Sequence, residues 1–331
     1  MMTFCLIKAY YYWPLSCKGR EQLLKKFQNI AILGDGGWGT TLAVHLARKK
    51  IAVTLWGAFP DNIKHIQETR FNEKFLPGIK IPGNVTLTAD LAAAVSAADI
   101  LVLAVPSQYV KGVLKRVRES DLSGKAVLSV IKGIDTQSLK RMSEVITTEL
   151  GNTPLAVLSG PTIAPEVARG IPSTAVIASR HQALAKTLQQ IFNSETFRIY
   201  TNRDLVGVEM GGSLKNIIAI ACGVCDGLGF GTNTKAAILT RGLVEMARLG
   251  TAMGARKQTF AGLAGRGDLV TTCISPQSRN RHVGEELGKG RSIKDITSSM
   301  NNVAEGIVTV KAAYKLSRRL NVSMPITQEV Y

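Results

Sequence analysis

The sequence predicts an α/β protein: a doubly wound parallel sheet in its N-terminal part, followed by a mostly α-helical C-terminal part. Three observations carry that prediction. From Asn29 to about Ala178, short β-branched and apolar runs alternate with helical stretches. Several of those runs are apolar on both faces, as strands covered by helices on two sides must be. After about Thr201 the alternation stops and helical patterns take over. At 331 residues the chain is long for one core and comfortable for two.

Taken in order, "NIAIL" (29–33) reads as the first strand, "TTLAVHLARKK" (40–50) as a helix and "IAVTLW" (51–56) as the second strand. Pro60 suits the first turn of a helix running to about Arg70. Asp90 fits as the cap of "LAAAVSAA", and "ILVLAV" (100–105) is an apolar strand closed by Pro106. "AVLSVIKG" (126–133) and "LAVLSGP" (155–161) are further strands that run into glycine. The helices of the second part are "DLVGVEMGGSLKNIIAIACGV" (204–224), "TKAAILTRGLVEMARLGTAMG" (234–254), "SRNRHVGEELGKG" (278–290) and "AEGIVTVKAAYKLSRRL" (304–320). The expected units are residues 29–200 and 201–331, with the cleft between them as the default site.

Composition narrows the classes. The chain is 45% hydrophobic and 20% charged, with no repeat of solenoid or propeller period. No apolar run is expected to reach the roughly 20 residues of a membrane helix. Residues 1–28 read as an extension, disordered or loosely docked: Lys8 interrupts the apolar stretch, and aromatics rather than leucines fill it, unlike a secretory leader. A cytoplasmic location is therefore expected. The net charge of +17 attracts anions. With no basic stripe, interleaved aromatics or zinc-finger spacing, phosphorylated metabolites are the expected anions rather than nucleic acid. Five cysteines are too few and too scattered for a disulfide framework. Cys222 and Cys225 lie in an apolar run and read as small core residues, and the four histidines show no ligand spacing, so no metal is expected.

Gly34-Asp35-Gly36-Gly37-Trp38-Gly39 matches G-x-G-x-x-G between a strand and a helix. Gly34 permits the tight turn, Gly36 lets backbone approach a pyrophosphate, and Gly39 lets the helix pack on the strand. Free N–H groups at the helix start then hold the anion. This is the fingerprint of a Rossmann-like dinucleotide-binding domain. About twenty residues on, where a carboxylate would grip the ribose of NAD, Trp56, Gly57, Ala58 and Phe59 offer no acid. A strict preference for NAD is therefore not expected, and NADP can be accepted; no arginine stands there to greet its extra phosphate either, so the choice between the two stays open.

Within "MGGSLKNIIAIACGVC" (210–225) Lys215 is the one charged residue. In so apolar a setting its charge is disfavoured and its pKa falls toward neutrality, which suits general acid–base work. The alternative is a lysine reaching out of an amphipathic helix. Gly211 and Gly212, one turn earlier, leave room for a ligand or another backbone. Lys132 follows a strand directly, "SGPTIAPE" (159–166) offers N–H groups and Thr162, and "SRNR" (278–281) opens a helix with donors suited to phosphate.

The segments "GDGGWGTTLA", "SGPTIAPEVA", "GGSLKNIIAIACGVCDGLGFGTNTKAAILTRGLVEM", "GLAGRGDLVTTC" and "SRNR" together resemble the bacterial biosynthetic NAD(P)-dependent glycerol-3-phosphate dehydrogenases, from about Asn29 to Tyr331. The resemblance implies a Rossmann domain followed by a helical domain. It implies interconversion of dihydroxyacetone phosphate and glycerol 3-phosphate for phospholipid synthesis, using NAD or NADP. It assigns Lys215 as general acid/base. Lys132 would touch substrate and cofactor, Gly160 and Thr162 would line the substrate, and Asp268 would contact the substrate and help orient Lys215. Ser278, Arg279 and Asn280 would hold the phosphate. Gly37, Trp38, Ala58, Ala164, Arg279, Val303 and Glu305 match cofactor positions. A homodimer is expected from the architecture.

The chain departs from the family pattern in places. Gly37 stands where serine is common, Ala58 where a basic residue is frequent, and Arg266 where an apolar residue is usual. Asp35 places a carboxylate beside the expected pyrophosphate and must point away from it. The family continues beyond "MPITQEVY", so the native C-terminus is open. Two rival readings keep the fold: a related hydroxy-acid dehydrogenase, or a dinucleotide-sensing protein without turnover.

Overall fold

The computed structural model describes residues 27–300 and 303–331. Most of the expected N-terminal extension, with Cys5 and Cys17, lies outside them. The backbone N–H of Gln28 donates to the Asp99 carboxylate at 2.8 Å, just before the first strand.

The chain opens with β1 (Asn29–Leu33), α1 (Gly37–Arg48), β2 (Ala52–Trp56) and α2 (Pro60–Thr69). A small antiparallel pair, β3 (Phe71–Asn72) and β4 (Leu76–Lys80), precedes β5 (Val85–Thr88), α3 (Leu91–Ser96), β6 (Ile100–Leu103) and α4 (Val110–Val117). Next come β7 (Ala126–Ser129), α5 (Met142–Leu150), β8 (Leu155–Ser159) and α6 (Ala164–Arg169), then β9 (Ser173–Ser179), α7 (Gln182–Phe192) and β10 (Phe197–Asn202). Helices follow: α8 (Leu205–Gly227), α9 (Thr232–Ala252), α10 (Lys257–Ala261), a π-helical turn (Leu263–Gly267), α11 (Asp268–Ile274), α12 (Arg279–Gly288), α13 (Ile293–Ser298), α14 (Glu305–Arg319) and α15 (Pro325–Val330).

Eight strands form one sheet in the order β10-β9-β8-β7-β6-β1-β2-β5. The block β5-β2-β1-β6-β7-β8 is parallel throughout and has the strand order of a doubly wound dinucleotide-binding sheet. The order reverses direction at β1 and β6, which puts the glycine turn at the switch point where ligands of such sheets bind. The expectation of a parallel sheet needs one correction: β9 runs antiparallel to β8. The short helix α6 turns the chain straight back, and only α7 then makes a crossover long enough to lay β10 parallel to β9.

Side-chain alternation explains the layers. Ile30, Ile32, Val53, Leu55 and Val102 point to one core, while Ala31, Leu33, Leu101, Leu103 and Val127 point to the other. Each strand is thus apolar on both faces because each face is covered. Expected punctuation is in place: the Asp90 side chain accepts from Ala93 N at 3.0 Å, and α2 ends at Arg70 in the left-handed region. His45 is structural. Its buried neutral ring donates from Nε2 to the Phe192 carbonyl at 2.7 Å, and burial lowers its pKa to about 4.

The helical part wraps around α8, whose buried faces meet most of the helices that follow. Asp204 caps α8 by accepting from Gly207 N at 2.9 Å, and it also accepts from Arg256 N and Thr259 Oγ1. By length and composition α8 is apolar enough to cross a membrane, which corrects the expectation that no run is. Its apolar window is 89% buried inside the fold, so it serves as a core helix. Cys222 and Cys225 are buried free thiols on it.

Candidate active site

Strand ends and α8 bring the predicted residues together. Lys132 follows β7, Gly160 and Thr162 follow β8, Lys215 lies mid-way along α8, and Asp268 begins α11. Lys215 Nζ stands 3.0 Å from Asp268 Oδ1, and Lys132 Nζ stands 2.6 Å from Asp268 Oδ2. One carboxylate therefore holds two ammonium groups, one on each oxygen. Lys132 also donates to the Gly160 carbonyl at 3.1 Å, and Thr162 Oγ1 donates to the same oxygen.

Close backbone approach builds this array. A Cβ on Gly211 would stand 3.0 Å from the Ala264 carbonyl carbon and nearer still to its oxygen. Only glycine lets the π-helical turn press against α8, and that turn delivers Asp268 opposite Lys215. A Cβ on Gly212 would collide with Ser159 Oγ, so this glycine lets the end of β8 approach instead. The space left by the glycine pair is filled by protein.

Lys215 is 7% exposed and Asp268 is 1% exposed, so both charges are cut off from bulk water. Burial lowers the Lys215 pKa to about 8, Asp268 opposing and Lys132 adding to the fall. Burial pushes the Asp268 carboxyl up, but the Lys132 and Lys215 ammoniums outweigh it and hold it below its ordinary value. A carboxylate at pH 7 beside an amine that titrates near neutrality is a proton-transfer device.

Three participants had not been singled out in the sequence. Thr272 accepts from Lys215 Nζ at 2.5 Å while donating to the Asp268 carbonyl at 2.7 Å. It lies four residues after Asp268 on one helix, and that spacing is the signal that could have found it. Asn216 reaches the Lys132 carbonyl at 3.4 Å and accepts from Asn280 Nδ2 at 2.9 Å. Ser107, after β6, donates from N at 2.9 Å and from Oγ at 2.5 Å to Glu305, tying α14 to the sheet. A Cβ on Gly133 would press on Ser107 at 2.6 Å, which accounts for glycine after Lys132.

The remaining predicted residues divide between this cleft and the glycine turn. Ser278 caps α12 by accepting from Arg281 N at 3.2 Å. The Asn280 amide is engaged at both ends, its Oδ1 accepting from Gly306 N at 2.9 Å. Arg279 is exposed on the first turn of α12, and its charge acts on Glu305. Burial raises the Glu305 carboxyl above its ordinary value against the pull of Ser107 and Arg279. Val303 is partly buried just before α14, and Ala58 is exposed after β2. The Ala164 carbonyl accepts from Thr41 Oγ1 of α1 at 3.1 Å.

The glycine turn fits a dinucleotide. Gly34 has φ +124°, and a Cβ on it would stand 2.8 Å from the Ala104 backbone. A Cβ on Gly39 would collide with the Gly34 carbonyl, whereas Gly36 faces open space. No side chain caps α1 and no acid stands in its first turn, leaving its N–H groups for an anion. Gly37 approaches the Phe75 carbonyl, 2.6 Å from where its Cβ would be, so a serine there would need the β3–β4 connection to move. Trp38 turns its ring edge-on to Phe197, away from the turn, with centroids 6.3 Å apart. Asp35 points away from the turn as required.

A switch-point glycine turn and a buried lysine–carboxylate array on a helical domain define a dinucleotide-dependent dehydrogenase. Residues 29–185 match the N-terminal family model of NAD-dependent glycerol-3-phosphate dehydrogenase, and residues 204–331 match the C-terminal one. The chain belongs to this family. It is 51% identical over 305 residues to the glycerol-3-phosphate dehydrogenase [NAD(P)+] of Prosthecochloris aestuarii, covering 91% of this chain and 92% of that one. It is 46% identical to the enzyme of the same name from Moorella thermoacetica, covering 92% and 90%. Among solved structures, glycerol-3-phosphate dehydrogenase from Coxiella burnetii superposes with a TM-score of 0.90 at 38% identity, covering 92% of this chain and 94% of that one.

Proposed function

We propose that this chain catalyses the reversible reduction of dihydroxyacetone phosphate to glycerol 3-phosphate with NADH or NADPH, feeding phospholipid synthesis. When bound, the dihydronicotinamide supplies a hydride to the carbonyl carbon. The Lys215 ammonium donates a proton to the carbonyl oxygen; in the reverse direction the neutral amine accepts the hydroxyl proton. A pKa of about 8 keeps both forms accessible near neutral pH. Asp268 orients that amine, and Lys132 stabilises negative charge growing on the substrate oxygen. Gly160 and Thr162 line the substrate, while Ser278, Arg279 and Asn280 hold its phosphate.

The backbone of Gly34, Gly36, Gly37, Trp38 and Gly39 would cradle the cofactor diphosphate, with Ala58, Lys132, Ala164, Arg279, Val303 and Glu305 along the rest of the cofactor. We further propose a division of the chain near residues 200–201 and a cytoplasmic homodimer that does not insert into membranes. Burial of α8 within the fold supports the last point.

The observation that carries the reading is the desolvated Lys215 held between Asp268 and Thr272. The test is oxidation of NADH or NADPH on adding dihydroxyacetone phosphate, with wild type and Lys215→Ala. Wild type should turn over, and the variant should lose at least about a hundredfold while still binding cofactor. Cofactor binding without turnover in wild type would instead indicate a sensor, and turnover with another ketone a hydroxy-acid dehydrogenase.

A further inference from the structure

In a dinucleotide-binding sheet the carboxylate that accepts from the adenosine ribose hydroxyls stands at the end of the second strand. Here β2 ends at Trp56 and runs into Gly57-Ala58, with no acid. The structure nonetheless puts one there. A Cβ built on Gly57 would stand 2.7 Å from Cγ and Oδ2 of Asp35 and equally close to Cδ1 of the buried Ile63. The Asp35 carboxylate, reaching across from the glycine turn after β1, thus occupies the space of a side chain at position 57. Absence of a side chain on Gly57 is the condition for that substitution.

Asp35 is held firmly. Asn62 Nδ2, in the first turn of α2, donates to Asp35 Oδ2 at 2.7 Å. Asn72 Nδ2 and Thr40 Oγ1 donate to the Asp35 carbonyl at 2.7 and 3.1 Å. Among the described residues no side chain hydrogen-bonds the other carboxylate oxygen. The next residue, Gly36, faces the open space where a diphosphate would run. A fixed carboxylate one residue away lies within reach of the adjoining ribose.

We propose that Asp35 is the ribose-recognising acid of this protein, and that it sets a preference for NAD(H) over NADP(H). The carboxylate oxygen that Asn62 does not hold accepts from the ribose 2′-hydroxyl; a 2′-phosphate would instead meet a desolvated carboxylate. The nearby cation is Lys74, exposed and lying 5.2 Å from the Phe75 ring centroid and 5.9 Å from that of Phe59. A mobile surface ammonium of this kind attracts a 2′-phosphate only weakly, so the clamped carboxylate decides the sign. This rests on the dinucleotide reading above and names the member of the pair that the site prefers.

The experiment is equilibrium titration of the full chain with ADP-ribose and with 2′-phospho-ADP-ribose, which carry no nicotinamide and need no turnover. NADH and NADPH fluorescence titrations run alongside. Wild type should bind the unphosphorylated ligand at least about tenfold tighter, the scale of one charge-assisted hydrogen bond against a repulsion. D35N keeps the size of the side chain and its Asn62 contact but loses the charge, and should bring the ratio to within about threefold; K74A should widen it. Equal wild-type affinities, or a preference that survives in D35N, would overturn the proposal while leaving the dehydrogenase reading intact. Should D35N not fold, the wild-type ratio alone decides. Failure of all four ligands to bind would overturn both.

Discussion

Replacing Asp268 by Asn tests the proposed chemistry at its most sensitive point. The substitution keeps the shape of the side chain and removes one negative charge between two ammoniums, 3.0 Å from Lys215 and 2.6 Å from Lys132. At an effective dielectric of ~20, unit charges about 3 Å apart attract by about 5 kcal/mol, much of it offset by reorganisation. Opposite charges this close move a pKa by about 1–3. With its partner neutralised, Lys215 faces burial and the Lys132 cation unaided, so its pKa should fall from about 8 to near or below neutrality.

In wild type, ketone reduction needs the ammonium and should decline as pH rises through about 8; alcohol oxidation needs the amine and should rise over the same range. In D268N both limbs should move to lower pH by at least about one unit, and reduction at pH 7.5 should fall about 10- to 100-fold. Stopped-flow rates of NADH oxidation across pH 5.5–9.5 read this directly. An alkaline limb in D268N that coincides with wild type would refute the coupling of Asp268 to Lys215, whatever happened to the overall rate.

Two further predictions follow from neighbouring parts of the site. Arg279→Ala should raise the KM for dihydroxyacetone phosphate at least about tenfold, as loss of a charge-assisted phosphate contact requires; steady-state kinetics with an unchanged KM would remove Arg279 from the phosphate subsite. Gly211→Ala forces a Cβ against the Ala264 carbonyl. It should cost about 1–3 kcal/mol in a denaturant melt, and it should lower kcat by displacing Asp268; wild-type stability together with wild-type kcat would show that the close approach of the π-helical turn is dispensable.

Much of the nucleotide-binding part is legible because its signals are local. Doubly apolar strands such as "ILVL", a glycine turn between strand and helix, Pro60 at a helix start and Asp90 at a cap each depend on neighbours a few residues away. The antiparallel placement of β9 is not local: it depends on how α6 turns the chain back onto β8. In the site, Lys215 stands out as one charge in an apolar run. Thr272, Asn216 and Ser107 do not, since serines, threonines and asparagines are common in loops and helices and acquire a role only through what they face. Gly211 reads from sequence as room for a ligand or a backbone, and only packing shows that the Ala264 carbonyl takes the space.

By itself, the order of residues determined two kinds of layer, a nucleotide turn and a lone lysine in an apolar helix, because periodicity and backbone freedom act over a few residues. Tertiary structure decided the rest. It set Asp268 between two lysines and filled the place of an absent side chain at Gly57 with the carboxylate of Asp35. Those pairings join residues 22 to 136 positions apart, and such distances close only when separate helices and strands pack together. Charge, burial and pKa are properties of that packing, so the chemistry of the site becomes readable only in three dimensions.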